Sequence, residues 1–306
     1  MEIYHFSGAG NDFVVIDGRE GDVSAFREVP RIEALCKEYK TDGLMILGAV
    51  PEPVEGPVLR QAQEPAIDFT MEFYNPDGSG GMMCGNGGRC IVAFADYLGI
   101  KPASGGVFLF MAPDGLHTGE ILARSGGSTS SPTDRWEVRI KMIDVHGVTP
   151  MMGGLFLNTG TRHFVKFVED VEQVDIDTEG KALRWDPAFA PIGTNVNFVH
   201  IAPDGLHVRT FEKGVEGETL ACGTGLTASA IAAYEISRQA RNDKTVISTK
   251  AGGNAPVIST KAGGRAEKSY RLRARQDWLS VNFTPVGDGE FTDVYLTGPA
   301  RLVEIH

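Results

Sequence analysis

Apolar residues along this chain come in short runs, alternating with polar ones or standing together, and each run is bounded by Gly, Pro or Asp. Runs of that length and period predict strands at 13–17, 43–47, 67–74, 106–111, 136–143, 155–158, 163–168, 196–201, 207–211 and 294–297. Two stretches depart from the rhythm. Cys90-Ile91-Val92-Ala93-Phe94-Ala95-Asp96-Tyr97-Leu98 and Ala228-Ser229-Ala230-Ile231-Ala232-Ala233-Tyr234 are small and apolar with hardly a charge, and they predict helices buried on all sides. Further helices are expected at 31–40 and 171–181. The regular βαβ alternation of a Rossmann sheet is missing. The predicted class is therefore α+β, with mostly antiparallel or mixed sheets set around two central helices.

Each central helix follows a cysteine phrase: Cys84-Gly85-Asn86-Gly87-Gly88-Arg89 before the first, Cys222-Gly223-Thr224-Gly225-Leu226-Thr227 before the second. At a helix entrance the first backbone N–H groups lack intrahelical partners and the macrodipole is positive, so a thiolate is stabilised and a carboxylate can dock on the amides. Glycine lets that backbone approach a ligand closely. A lone cysteine is most often a small buried hydrophobe, which is the reading for Cys36 and Cys90, but the recurrence of the phrase argues against it for Cys84 and Cys222. Neither phrase has zinc-finger spacing, and Gly87-Gly88-Arg89 lacks the Lys-Ser/Thr of a phosphate loop. The pairing points to one thiol on each side of one substrate carbon.

Ala112-Pro113-Asp114-Gly115-Leu116-His117 recurs word for word at 202–207, as a shared hairpin turn or as a trace of duplication. With the paired cysteines it favours two related halves, 1–130 and 131–297, with the polar stretch 124–133 as the boundary. Two segments read as insertions without chemistry. One is 51–65, with four prolines, expected to be an exposed, mobile loop; the other is 246–264, where Val-Ile-Ser-Thr-Lys-Ala-Gly-Gly occurs twice.

Composition narrows the function. A net charge of −11 and a pI near 5.1 argue against nucleic acid or an anionic membrane as the main partner. No run of 18 apolar residues and no basic-then-apolar leader occurs, so the cytoplasm is the expected location and a Cys84–Cys222 structural disulfide is not expected.

Further motifs surround the cysteines: Phe6-Ser7-Gly8-Ala9-Gly10-Asn11-Asp12-Phe13, Tyr74-Asn75-Pro76-Asp77-Gly78-Ser79, Gly193-Thr194-Asn195-Val196-Asn197-Phe198, Glu218-Thr219-Leu220-Ala221 and Thr297-Gly298-Pro299-Ala300. In this order, from the first strand to near the end, they closely resemble the diaminopimelate epimerase family. The resemblance implies two pseudo-symmetric domains, each a mostly antiparallel or mixed sheet wrapped around a central helix, with the active site in the cleft between them. It also implies a tail, about 298–306, that returns to the first domain. The implied activity is cofactor-free interconversion of LL- and meso-2,6-diaminopimelate, a step toward lysine and peptidoglycan precursors. The implied partner is this small amino acid, and a homodimer is a family-level expectation.

By the same resemblance Cys84 is the base for the L-centre and Cys222 for the D-centre. The amides of Gly85, Asn86, Gly223 and Thr224 cradle the reacting carboxylate. Asn11, Asn75 and Asn195 bind substrate, and His163 and Glu212 support the thiols and the amine. The chain departs from the family at Gly160-Thr161-Arg162-His163, where Gly-Asn-Pro-His or Gly-Ser-Pro-His is usual, and at Glu212-Lys213-Gly214, where Glu-Arg-Gly is usual. The following turn is one residue longer than the common form. Thr161 and Lys213 thus fall where the distal carboxylate and amine should be recognised. Alternatives are a racemase of proline, hydroxyproline or histidine, and a non-catalytic amino-acid-binding protein.

Overall fold

The computed structural model of the chain describes residues 1–50, 66–81, 83–103, 105–126, 134–242, 258–260 and 266–306. The proline-rich insertion at 51–65 lies outside the described residues, as does the duplicated segment apart from a strand at Ile258–Thr260. The chain divides into two compact units, Met1–Ile140 with Pro299–His306, and Lys141–Gly298.

The first unit runs β1 (Tyr4–Gly8), β2 (Asn11–Gly18), α1 (Val29–Tyr39), β3 (Gly43–Gly48), β4 (Phe69–Tyr74), α2 (Gly85–Tyr97), β5 (Val107–Ala112), β6 (Gly115–Ser125) and β7 (Arg135–Lys141). Strands β4, β5 and β7 alternate buried and open positions, as one-sided strands do. β2 and β3 pair in parallel and are buried in continuous runs, Phe13–Ile16 and Leu44–Leu47, because helices cover them. α1 lays Ile32, Leu35 and Cys36 on Val14, Ile16, Leu44 and Ile46. It ends where Lys40 turns left-handed (φ 55°) and its N–H returns to the Cys36 carbonyl. α2 is buried from Gly85 to Ala95, with the Phe94 ring 4.8 Å from Tyr4 and 5.5 Å from Phe6. Having no polar side, it can lie only in the interior, as its composition predicts.

The second unit runs β8 (Val145–His146), β9 (Val148–Met151), β10 (Gly154–Asn158), β11 (Arg162–Phe167), α3 (Lys181–Arg184), β12 (Asn195–Ala202), β13 (Gly205–Glu212), β14 (Gly217–Thr219), α4 (Gly223–Asn242), β15 (Ile258–Thr260), β16 (Glu267–Arg273), β17 (Trp278–Gly287) and β18 (Glu290–Ile305). The last strand pairs with β17 through its first part, and its end, Arg301–Ile305, pairs with β1 in the first unit. α4 is the buried helix here, with Tyr234 edge-on to Phe283 and Phe291. The helix expected at 171–181 is broken instead. Asp170 and Asp175 each accept a following backbone N–H and restart the chain, leaving a 3₁₀ turn at Val171–Gln173 and a π turn at Ile176–Gly180 before α3. Val171 and Ile176 still anchor this segment among Phe164, Phe189, Phe198 and Phe211.

The two units repeat one order of pairing. β1–β2 is antiparallel, β2–β3 parallel and β3–β4 antiparallel; then come a cysteine and α2, and β4–β5 is parallel and β5–β6 antiparallel. Likewise β10–β11 is antiparallel, β11–β12 parallel and β12–β13 antiparallel; then come a cysteine and α4, and β13–β16 is parallel and β16–β17 antiparallel. The cysteine phrases therefore occupy equivalent places. The repeated hexapeptide does not: it turns β5 into β6 in the first unit and β12 into β13 in the second. Its recurrence is turn chemistry, with the histidine Nε2 against the aspartate Oδ1 in both copies (3.1 and 2.9 Å).

The two turns differ in their surroundings. Gly115 (φ 128°) has open space where a Cβ would stand, whereas a Cβ on Gly205 (φ 148°) would lie 2.6 Å from the Arg271 carbonyl oxygen. Both alanine variants are strained by φ, and only the second also collides with backbone. Gly205→Ala should therefore destabilise by about 1 to 3 kcal/mol more than Gly115→Ala, read as the larger fall in denaturation midpoint. Equal midpoints would refute this account of the turns.

Candidate active site

Cys84 is the N-cap of α2, in extended backbone (φ −94°, ψ 146°), and its Sγ accepts the Gly87 N–H at 3.1 Å. The sulfur thus takes the place that a serine or aspartate oxygen holds at other helix starts, and a negative charge there is stabilised by the donor and the dipole together. Gly87 is glycine for a steric reason, since a Cβ would approach Cys84 Sγ and Met45 Sδ to 3.2 Å. Gly8 faces the next turn of the helix, where a Cβ would press on the Asn86 carbonyl and Cys90 Sγ at 2.9 Å. Cys90 and Cys36 are core thiols, and burial pushes both up from the ordinary thiol range.

Behind Cys84 lies a chain of amides. Asn86 Nδ2 donates to Asn11 Oδ1, and Asn11 Nδ2 to Asp42 Oδ2 at 3.2 Å. Arg89 donates to Asn86 Oδ1 (2.8 Å), the Gly85 carbonyl (3.1 Å) and the Pro299 carbonyl (3.3 Å). The structure thus brings Asn11 and Asn86 together and ties the first turn of α2 to the returning tail. Asn75 instead closes its own turn, donating to Ser79 Oγ at 3.0 Å and taking Gly78 N–H on its carbonyl. Arg89 was not anticipated as part of the site. Its signal was there, an arginine inside the otherwise uncharged buried run from Gly85 to Ala95.

At the second entrance Cys222 is buried, and its carbonyl takes the Leu226 N–H at 2.9 Å, opening α4. Its thiol is hydrogen-bonded to the Glu212 carboxylate, which also accepts from Thr219 Oγ at 2.9 Å. Burial raises the Glu212 carboxyl above the usual range, against the opposite pull of those two donors. The other side of Cys222 meets hydroxyls, with Thr224 Oγ1 3.5 Å from the sulfur. Thr224 and Thr161 Oγ1 are 3.1 Å apart, and each is 2.9 Å from His163 Nε2.

His163 itself is fully buried, and its Nδ1 is 3.0 Å from Asn197 Nδ2. Asn195 donates to Thr161 Oγ1 (3.2 Å) and the Arg162 carbonyl (3.0 Å) and accepts the Lys213 N–H (2.8 Å), so it joins the ends of three strands. Lys213 begins the exposed four-residue turn between Glu212 and Gly217. His163, Glu212, Asn195, Thr161 and Thr224 therefore gather around Cys222. Asn197 was missed by the sequence reading, which took only the first asparagine of its motif. Among the described residues no group of His, Cys, Asp and Glu is placed to hold a metal ion, and no helix is long and apolar enough to cross a membrane.

Two α+β units that repeat one strand order, each opening its buried helix with a cysteine, define the diaminopimelate epimerase-like class of fold. Solved structures of that class superpose on the whole chain: a hydroxyproline epimerase from Agrobacterium vitis (TM-score 0.56, 14% identity, 100% of this chain and 91% of that one) and a probable proline racemase from Agrobacterium radiobacter K84 (TM-score 0.53, 14% identity, 100% and 92%). At such identities the likeness is one of fold. Within the class, the chain belongs to the diaminopimelate epimerase family. It is 34% identical to the diaminopimelate epimerase of Chlorobaculum tepidum over 97% of both chains, and 32% identical to that of Flavobacterium psychrophilum over 99% of this chain and 98% of the other. The Aquifex aeolicus protein of that name is 39% identical over 76% of this chain and 81% of its own, and the family's sequence profile matches residues 155–271.

Burial pushes the His163 ring down from 6.5 to about 3, so it is neutral throughout the physiological range. The unfolded chain takes up a proton near pH 6.5 that the folded one refuses, so this group's contribution to stability is complete above pH 6.5 and is lost as pH falls toward 3. Between pH 7 and pH 5 the native protein should lose about 2 kcal/mol more stability than His163→Gln, measured by urea unfolding at both values. Parallel losses in the two proteins would mean that the ring is charged when folded.

Proposed function

We propose that the chain is a cofactor-independent epimerase that interconverts LL- and meso-2,6-diaminopimelate, with Cys84 and Cys222 as its two proton-carrying groups. The observation that carries this is family membership along nearly the whole chain together with a thiol at both helix entrances. An α-proton beside a carboxylate is very weakly acidic, so its removal needs a placed base and fixed dipoles for the developing enediolate. One cysteine, as thiolate, takes the proton from Cα. The other, as thiol, gives its proton to the opposite face, so each sulfur ends in the state in which the other began. Helix amides at Gly85, Asn86, Gly223 and Thr224 receive the carboxylate, with Asn11, Asn75 and Asn195 as polar contacts for the rest of the zwitterion. The proposed location is the cytoplasm, where thiols are kept reduced.

Each half of the transfer needs its own thiol. Cys84→Ala and Cys222→Ala should therefore each lower turnover by about a thousandfold or more, and neither should invert the centre in deuterium oxide. If one variant keeps near-native turnover, the two-thiol mechanism fails; if the native protein exchanges no substrate Cα hydrogen, the binding-protein alternative replaces it.

A second reading, a racemase of a monocarboxylic amino acid, is favoured by Lys213, at the position where the family resemblance expects an arginine for the distal end of diaminopimelate. A guanidinium binds a carboxylate through two parallel N–H bonds, and the Lys213 ammonium is a compact charge on a flexible stem. If diaminopimelate is the substrate, Lys213→Arg should lower its KM roughly five- to thirtyfold with little change in kcat. Steady-state kinetics on diaminopimelate, proline, hydroxyproline and histidine decide it, because faster turnover of any of the last three would select the second reading.

A further inference from the structure

We propose that Asn197 is a positioning residue that fixes the hydrogen of His163 on Nε2, and that this sets the direction of a hydrogen-bond relay ending at the Cys222 sulfur. The proposal concerns the same site and rests on the reading of Cys222 as a proton carrier.

The tautomer follows from obligate partners. Asn197 Nδ2 lies 3.3 Å from the Phe164 carbonyl, which can only accept, and Thr210 Oγ1 donates to Asn197 Oδ1 at 3.0 Å. The carboxamide is thereby held with its nitrogen toward the ring, and that nitrogen, 3.0 Å from His163 Nδ1, donates to it. A ring nitrogen that accepts carries no hydrogen, so in the neutral ring the hydrogen is on Nε2. Asn197 is itself fully buried and cannot exchange these partners for water. Gly225 makes room for it, since a Cβ there would stand 2.3 Å from Asn197 Oδ1. The second glycine of the Cys222 phrase is thus explained by this carboxamide.

Nε2–H then has the two threonine hydroxyls as acceptors at 2.9 Å. When Thr224 Oγ1 accepts from the ring, its own hydrogen is free to point at Cys222 Sγ, 3.5 Å away, and to stabilise a thiolate. The opposite tautomer would turn the Thr224 hydrogen toward Nε2 and leave the sulfur facing a lone pair. Cys222 also has the Glu212 carboxylate as acceptor for its thiol hydrogen, so each protonation state of the sulfur meets a matched partner. The ionisable groups on this side of the ring are Cys222 at the start of α4 and Glu212 at the end of β13. β10 and β12 contribute Leu157 and the two asparagines, while Arg162 and Lys166 of the ring's own strand are engaged by Phe156 and Glu179.

Two measurements test it. Nitrogen-15 spectra of the histidine-labelled native protein should show His163 with a bare Nδ1 and a protonated Nε2, unchanged from pH 6 to pH 9; a protonated Nδ1 in the neutral ring overturns the proposal whatever the substrate proves to be. Asn197→Asp places a carboxylate at Nδ1, so the ring keeps an Nε2 hydrogen only while it is charged and holds its last proton at Nδ1 once neutral. In that variant, Cys222 alkylation by iodoacetamide and kcat should both fall about tenfold as pH rises through the ring's ionisation, the reverse of an ordinary thiol, with KM unchanged. Alkylation that rises with pH as in the native protein overturns the relay. A Cys222→Ala protein that still inverts the substrate α-carbon would instead remove the functional reading and leave the tautomer result standing.

Discussion

A helix that starts in the interior still has to place the N–H groups of its first turn, and both central helices of this protein start at a cysteine. At α2 the cap is the sulfur itself, which takes the Gly87 amide. A large, polarisable atom reaches that amide where the third residue on is glycine, and at both Gly8 and Gly87 a Cβ would be tight against its neighbours. Gly87 and Gly88 in one phrase and Gly225 in the other are thus explained first by close packing at a buried helix start. What that packing leaves is a sulfur beside amides with positive potential.

The two entrances solve the same problem differently. Cys84 has a backbone donor as its sulfur partner and a rigid backing of Asn86, Arg89 and Asn11. Cys222 has side-chain partners, an acceptor in Glu212 and a donor in Thr224, with the neutral His163 behind the latter. A backbone amide can only favour the charged sulfur, whereas a carboxylate and a hydroxyl can accommodate either protonation state. The equivalence of the units therefore holds for strand order and for the placing of the thiol, and ends at the thiol's own surroundings.

Strand runs such as 43–47 and 196–201 and the two buried helices were legible because their apolar content leaves one place for them to go. β16, Glu267–Arg273, was not: five of its seven residues are polar or charged, and only Tyr270 and Leu272 are buried, so its period is masked by long side chains. The break at 171–181 was invisible because Val171, Val174 and Ile176 suggest a helix face while the deciding bonds come from Asp170 and Asp175. In the site, the cysteines showed themselves by recurrence. Asn197 did not, since its importance comes from Thr210, thirteen positions on and directly across the β12–β13 pair. Partners fixed by register between strands leave no mark on a single sequence. The hexapeptide shows the converse, a conspicuous repeat whose copies fall at inequivalent hairpins.

The departures at Thr161 and Lys213 now separate by their physics. Thr161 is exposed, yet its hydroxyl is bonded to His163, Thr224 and Asn195 and so belongs to the network beside Cys222. A carboxamide there would bring two donors and one acceptor to a place where one hydroxyl now balances three neighbours. Arg162, beside it, is occupied in packing, its guanidinium 5.1 Å from the Phe156 ring and bonded to the Phe189 carbonyl. Lys213 is exposed, on an exposed turn, and its backbone N–H is held by Asn195. A change at Lys213 can thus alter recognition without disturbing the thiol, while a change at Thr161 must shift the hydrogen-bond balance at His163 and through it the state of Cys222. Asn195 touches both, and so links the hydroxyl network beside Cys222 to the Lys213 turn.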